Sequence, residues 1–313
     1  MNNNVKGKIG AISISDRKGI QKTNVDTAVL IADYGIDGDA HAGKWHRQVS
    51  LLAQESIDKI VAKGLNVKGG DFAENITTLG IDLPSQPVGA KLALGGTELV
   101  ISQIGKVCHH RCAIYHKAGD CVMPREGIFC VVVKPGYIKT GDLVTITQKE
   151  GISAGIITLS DRASQGVYED LTGPAIEKIL QEKLKCAFVR KEILADEQKL
   201  LEMTVIDFAD TQKLDLIITN GSTGVSQRDI APEGLLNVFH RRLPGFEEIM
   251  RAESFKKTVH AIISRAVCGI RGESLIISLP GSPKAAVDNL SFIIGAIPHA
   301  VEKIHGDPSP CAE

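Results

Sequence analysis

Three things are scarce in this sequence. No apolar run approaches the ~20 residues a membrane-spanning helix needs: stretches such as 292–297 stop far short, and the opening Met1-Asn-Asn-Asn-Val-Lys has no apolar core of a secretion signal. Neither half is strongly basic, since residues 1–150 balance at +3 and residues 151–313 at −4, which argues against a nucleic-acid-binding domain. Paired Cys-x2-Cys spacing is also missing. The seven cysteines are an odd count, and four of them (Cys108, Cys112, Cys121, Cys130) crowd one segment instead of spreading as a disulfide framework would. The chain therefore reads as cytoplasmic, with neither a membrane nor a nucleic-acid partner.

What is present divides in two. A chain of 313 residues exceeds one ordinary core, so two domains are expected. Residues 7–15, 97–104, 129–134 and 143–147 are short, rich in branched side chains and bounded by Gly or Pro, which predicts strands. Gly95-Gly96 predicts a hairpin turn, and Ile57, Ile60 and Val61 share one face of a helix that Gly64 stops. After residues 148–151 the rhythm becomes strand, loop, helix: strands over 153–160, 188–194, 214–219 and 274–281, helices over 174–184, 197–209, 232–243 and 246–255. That alternation predicts a mainly parallel sheet between two helical layers, a three-layer α/β domain over 151–313 beside a β-rich domain over 1–150.

Open α/β sheets bind ligands at the carboxyl ends of their strands. There stands Asn220-Gly221-Ser222-Thr223-Gly224, whose glycines and small hydroxyl residues let backbone N–H groups approach an anion, with a helix start at Pro232-Glu233 behind it. A plain strand-to-helix turn would have the same composition. Asp196 follows another strand of the same sheet and Asp229 lies just past the cradle; two carboxylates beside a phosphate loop suit Mg2+, which takes one or two of them with phosphate oxygens and water. The bland alternative for Asp229 is a helix cap or a pair with Arg228. Leu279-Pro280-Gly281-Ser282-Pro283-Lys284 repeats the theme at a third strand end.

Taken in order, "TLSDRASQGVYED", "TNGSTGVSQRDIAPE", "PGFEEIMR", "SRAVCGIRG" and "SLPGSPKA" make residues 152–306 resemble the molybdopterin adenylyltransferase family. The resemblance implies transfer of AMP from ATP to the phosphate of molybdopterin with Mg2+ present and pyrophosphate released. It implies Asp196 and Asp229 as catalytic, Mg2+-holding residues. Substrate and nucleotide binding would fall to Ser160, Asp161, Asn220, Gly221, Ser222, Thr223, Gly224, Glu233, Ser264, Pro280, Gly281, Ser282 and Lys284. A homotrimer formed through this domain, and a molybdenum insertion enzyme as partner, follow from the same likeness; pyridoxal phosphate is not expected. Two positions depart from the pattern. The loop usually reads Thr-Gly-Gly-Thr-Gly, so Ser222 costs backbone freedom, and Ala231 replaces a Thr that would cap a helix, a loss of ~1 kcal/mol.

The segment 107–130 holds four Cys and three His, but its spacing Cys-x3-Cys-x8-Cys-x8-Cys is not a zinc signature. Cys130, inside an apolar strand, reads as a core thiol. Cys112 stands beside Arg111 and histidines that would favour a thiolate, with Cys108 and Cys121 as rivals. Upstream, Asp39, His41, Lys44, His46 and Arg47 crowd a Gly-rich loop that is either a solvated polar loop or an anion holder. "GIDGDAHAGKWHRQVSLL", "GGDFAENITT", "QIGKVCHHRCAIY" and "GDCVMPREGIF" make residues 5–147 resemble a MOSC domain, a barrel-like module. That likeness implies binding of molybdenum cofactor, or sulfur handling, through Cys112, supported by Cys108, His41, Lys44 and Arg111. The expected protein is a bifunctional fusion enzyme of molybdenum cofactor biosynthesis. Its rivals are a pterin or cofactor storage protein without turnover, and a zinc-stabilised adaptor in the first half.

Overall fold

Branched residues dominate the strands of the first half, and in a computed structural model describing residues 5–106, 108 and 113–310 they close on themselves. Seven strands follow one another around the sheet: Leu143–Thr147, Lys91–Leu94, Thr97–Ile104, Ile128–Lys134, Val49–Ala53, Ile76–Leu79 and Val5–Ile14. Pairing of Val5–Ile14 with Leu143–Thr147 completes the ring. Closure removes the exposed edges that an open sheet leaves. Every neighbouring pair is antiparallel except Val49–Ala53 with Ile76–Leu79. The expected hairpin forms at Gly95, whose φ of +56° suits glycine, with Leu94 opposite Thr97. Thr23–Val25 extends the sheet, and Gly136–Lys139, Thr27–Ile31 and Gly35–Ile36 form a small second one.

Helix Gln54–Val61 buries Ile57 and Ile60 in a satellite core with Leu52, Phe72, Met123 and Phe129, while Val61 is 44% exposed and stays off the buried face. Cys130 is fully buried, and burial pushes its thiol well above the usual range, as expected of a core cysteine.

The second half forms a separate compact unit from Gly151 onward. Its sheet runs Phe188–Leu194, Ser153–Leu159, Leu216–Asn220, Ser274–Leu279, Cys268–Arg271, Arg241–Arg242. The first four strands are parallel and the last two antiparallel, so the sheet is mainly parallel, as the alternation predicted. Ile156, Ile218 and Ile277 lie in one core with Ile176 and Leu180 of helix Thr172–Leu184, Met250 of Pro244–Phe255 and Leu290 of Pro283–Ile293. Helices Gln198–Ile206 and Ala231–Val238 pack on each other elsewhere in the unit.

The helix expected over 232–243 is shorter than the sequence pattern predicts. It ends at Val238, because Phe239 turns extended (φ −68°, ψ 136°) and Arg241–Arg242 pairs with Gly269 and Ile270. The segment 197–209 is helical to Ile206 and then widens into a π-turn over Asp207–Thr211.

Candidate functional site

Four parallel strands end together, and the loops leaving them are joined. Asp161 and Asp196, each just beyond a neighbouring strand, hold one another reciprocally: the Asp161 N–H donates to Asp196 Oδ2 and the Asp196 N–H to Asp161 Oδ1, both at 3.0 Å. The other oxygen of Asp161 accepts from Arg228 at 2.5 Å, and this bond holds its carboxyl below the usual range. Arg228 therefore pairs with Asp161 and not with its neighbour Asp229. Ser160 caps the short helix Asp161–Ser164 through the Ala163 N–H.

Gly221 leaves the central strand at φ +92°, and a Cβ there would sit 2.4 Å from the Leu159 carbonyl oxygen. A Cβ on Gly281 would come within 3.1 Å of Gly221 Cα. The two strand-end loops thus touch backbone to backbone, which only glycine allows. Asn220 is buried, and its orientation follows from a chain of donors. Thr158 Oγ1 donates to the Asp170 carboxylate at 2.8 Å, so it accepts from Asn220 Nδ2 at 3.0 Å, leaving Asn220 Oδ1 without a donor. Asp170 also caps helix Thr172–Leu184 through the N–H groups of Thr172 and Gly173, and the Thr172 hydroxyl donates to the Gly281 carbonyl at 2.7 Å.

Ser222 sits at φ +57°, a strained conformation for a side-chain-bearing residue. Its hydroxyl accepts from the Ile230 N–H at 2.8 Å and its carbonyl from the Ala231 N–H at 3.1 Å. Those donors open helix Ala231–Val238, whose own N-cap residue supplies no side-chain bond. The expectation that Ala231 leaves the helix start uncapped is thus corrected: Ser222 supplies the acceptors.

Arg265, absent from the sequence expectations, organises the loop. Its Nε donates to the Gly224 carbonyl at 2.6 Å, Nη2 to the Asp229 carbonyl at 2.7 Å, and Nη1 to Glu233. Its own N–H donates to the Thr223 carbonyl. Asp229 Oδ2 accepts from the Ser226 N–H at 2.8 Å, closing a turn.

Thr223, Gly224, Ser264 and Pro280 line a cavity of about 290 Å3, with Arg251, Lys257 and His260 supplying charge or polarity. Arg251 is held there by the buried Glu247 at 3.3 Å and by the Ala266 carbonyl at 2.9 Å. Asp229, Glu233 and Arg265 line a second, more open concavity of about 440 Å3. Ser282 caps helix Pro283–Ile293, and Lys284 is exposed with no side-chain partner among the described residues.

In the first unit, Asp39 is a buried hub. It accepts from Lys22 Nζ at 2.5 Å, from the Ser15 N–H at 3.1 Å and from the His41 N–H at 3.0 Å. Burial opposes its charge, yet hydrogen bonds from His41 and Lys22 outweigh it and hold the carboxyl well below the usual range. The cost of burial falls on Lys22, whose pKa is lowered although Asp39, in contact at 2.5 Å, pulls it up. His41 Nδ1 lies 3.5 Å from Asp39, while Lys44 is exposed.

The "GGDFAENITT" block is structural. Asn75 accepts from the Ser50 N–H and hydroxyl, and Glu74 accepts from the Gly70 N–H at 2.7 Å and Thr77 at 2.9 Å. Arg111 and Cys112 lie outside the described residues; Cys108 is exposed and Cys121 buried.

Residues 155–299 match the family model described as a probable molybdopterin binding domain, and residues 38–145 match the MOSC domain model. The chain is 46% identical over 157 residues to the molybdopterin adenylyltransferase of Helicobacter pylori strain J99, spanning 50% of this chain and 89% of that one. It is 39% identical over 153 residues to the Escherichia coli K12 molybdopterin adenylyltransferase, spanning 49% and 77%. Among solved structures, the molybdopterin biosynthesis enzyme MoaB of Thermus thermophilus is 37% identical, spans 50% of this chain and 98% of its own, and superposes with a TM-score of 0.46.

Proposed function

The chain belongs to the molybdopterin adenylyltransferase family, and from that premise we propose that its second unit transfers AMP from ATP to the phosphate of molybdopterin. An oxygen of the pterin phosphate attacks the α-phosphorus, the bond from that phosphorus to the bridging oxygen breaks, and pyrophosphate leaves. The observation carrying this reading is the meeting of strand-end loops at Gly221 and Gly281, where no Cβ intervenes. Such a site offers N–H groups and charge in fixed positions, and nucleotidyl transfer asks a protein mainly for positioning and charge neutralisation. No covalent nucleophile is required.

Asn220 through Gly224 form the cradle for phosphate oxygens, with Gly281 and Ser282 on its other side and Lys284 free to pair with an anion. The cavity between Thr223, Ser264 and Pro280 suits the pterin, and Ser160, Asp161 and Glu233 frame the nucleotide. Among the described residues, Asp196 and Asp229 each keep Oδ1 without a hydrogen bond, since only Oδ2 is engaged in either case. Asp196 and Asp229 are the carboxylates that would hold Mg2+, which would supply charge neutralisation to the phosphates. The first unit binds the cofactor or handles sulfur, with His41, Lys44, Cys108, Arg111 and Cys112 as its site. Fusion of the two units raises the local concentration of a labile intermediate. An apolar groove lined by Phe246, Ile249 and Phe292 is the surface a homotrimer would cover, and a molybdenum insertion enzyme would take the product.

Incubating the full chain with ATP, Mg2+ and molybdopterin should yield adenylylated pterin and one pyrophosphate per pterin. Tight pterin binding with ATP left intact would instead identify a storage protein.

A further inference from the structure

Arg228 and Arg265 both reach the strand-end loops of the second unit, and they are used differently. Arg265 engages all three of its side-chain nitrogens, on the Gly224 and Asp229 carbonyls and on Glu233. Arg228 engages one. Its Nη2 meets Asp161, and Nε and Nη1 have no partner among the described residues. Its side chain is 63% exposed, against 36% for Arg265. One arginine is used up by the fold, and the other keeps donors to spare.

The spare donors lie at a defined place. The Arg228 backbone is fixed against the cradle, its carbonyl accepting from the Ser222 hydroxyl at 3.2 Å and its N–H donating to Ser226 Oγ at 3.3 Å. From there the side chain crosses to Asp161, just beyond the neighbouring strand Ser153–Leu159, so the guanidinium bridges the loops of two adjacent strand ends. Among the described residues it is the one side-chain bond that joins loop 221–230 to the Asp161–Asp196 pair. That bond is the largest influence raising the pKa of Arg228, and the charges of Asp196 and Glu197 add to it. Three carboxylates thus act on one guanidinium, and carboxylates repel an incoming polyphosphate unless a cation stands among them. An exposed ion pair contributes little to stability, so folding alone gives small reason for this one. Arg228 is also absent from the wall of the cavity assigned to the pterin and stands on the Asp161 side of the strand ends. In nucleotidyl transfer the attacking and leaving oxygens are roughly in line, which sends pyrophosphate away from the attacking pterin.

We propose that Arg228 grips the β- and γ-phosphates of the nucleotide, the part that leaves as pyrophosphate, with the N–H groups that Asp161 does not occupy. The planar fork of a guanidinium suits two-point contact with phosphate oxygens, and its exposed side chain can adjust without disturbing the backbone that Ser222 holds. The inference rests on the adenylyl-transfer reading, and it adds the residue that tells a triphosphate from a monophosphate.

Binding of ATP, AMP and pyrophosphate to the full chain is measured by calorimetry without pterin, in Mg2+ buffer at constant ionic strength. The wild type, Arg228→Gln and Arg228→Lys are compared, each checked for an unchanged urea midpoint. Arg228→Gln should weaken ATP and pyrophosphate about ten- to a hundredfold, the size of one or two charge-assisted bonds, and leave AMP within about twofold. Arg228→Lys keeps the charge and loses the fork, so it should fall between; it carries the same comparison if Arg228→Gln unfolds. A loss shared equally by ATP and AMP would overturn the proposal, because Arg228 would then only shape the loop or meet the α-phosphate. Unchanged ATP affinity in both variants would overturn it too. Transfer to molybdopterin is assayed on the same wild-type sample. Adenylylated pterin from the wild type, with no ATP-specific loss in the variants, fails this inference alone; an ATP-specific loss with no product from the wild type fails the transfer reading alone. A wild type that binds no ATP overturns both.

Discussion

In the second unit the candidate site is built from backbone: Gly221 and Gly281 in contact, Asn220 fixed by Thr158 and Asp170, and carbonyls of residues 223, 224 and 229 gathered by Arg265. In the first unit the loop that carries His41 and Lys44 is held by side chains, with Arg47 on the Trp45 and Phe129 rings and a buried Lys22–Asp39 pair as anchor. The two arrangements fail differently. A backbone cradle breaks when an atom is added, and a side-chain cluster breaks when a charge is removed.

The largest effect that sharpens this contrast is expected at the anchor. Asp39→Ala leaves Lys22 buried without its partner, a loss of about 3–5 kcal/mol, measurable as a lower urea midpoint of the first unit with the second unit's transition unmoved. The pH dependence follows from the direction of the shift. A carboxyl depressed in the folded state contributes fully above its unfolded value of roughly 3.9, and the contribution is lost as pH falls through the folded value. The first unit should therefore lose stability at the acid end, and Asp39→Ala should flatten that limb.

Next comes the cradle. Gly221→Ala adds a Cβ at 2.4 Å from the Leu159 oxygen in a left-handed conformation, an expected cost of about 2–4 kcal/mol. Gly64→Ala, also at positive φ but with nothing within 4 Å, should cost only about 1 kcal/mol. Equal midpoints for the two variants would mean that contact between the strand ends does not matter.

The smallest effect tests the compensation at the helix start. Ser222→Ala keeps the strained φ and loses the acceptor for Ile230, about 1 kcal/mol. Ser222→Gly relieves strain and loses the same acceptor, so its midpoint should stay near wild type.

The sequence made the strand ends of the second unit legible, since glycine and proline mark backbone geometry locally. Arg265 stayed hidden because its role lies in carbonyls 36 and 41 residues away, and carbonyls carry no residue signature. The helix over 232–243 was overextended for a related reason. Its apolar spacing is helical, but Arg241–Arg242 pairs with a strand that no local pattern announces. In the first unit, β-rich composition was visible and the MOSC resemblance implied a barrel, while the pairing that closes it, Val5–Ile14 with Leu143–Thr147, was not, because that register is set between distant segments. The two departures at Ser222 and Ala231 looked like separate losses in sequence and become one exchange of hydrogen-bond acceptors in space.

The account turns on Asp196 and Asp229 acting together at the strand ends. The direct measurement is transfer of an α-phosphorus label from ATP to molybdopterin by the wild-type chain and by Asp196→Asn and Asp229→Asn, each checked for an unchanged urea midpoint. Label should pass to the pterin in the wild type and fall at least about a hundredfold in each variant, the scale of losing one electrostatic stabiliser of a transition state. Wild-type rates in a folded Asp196→Asn or Asp229→Asn protein would contradict it.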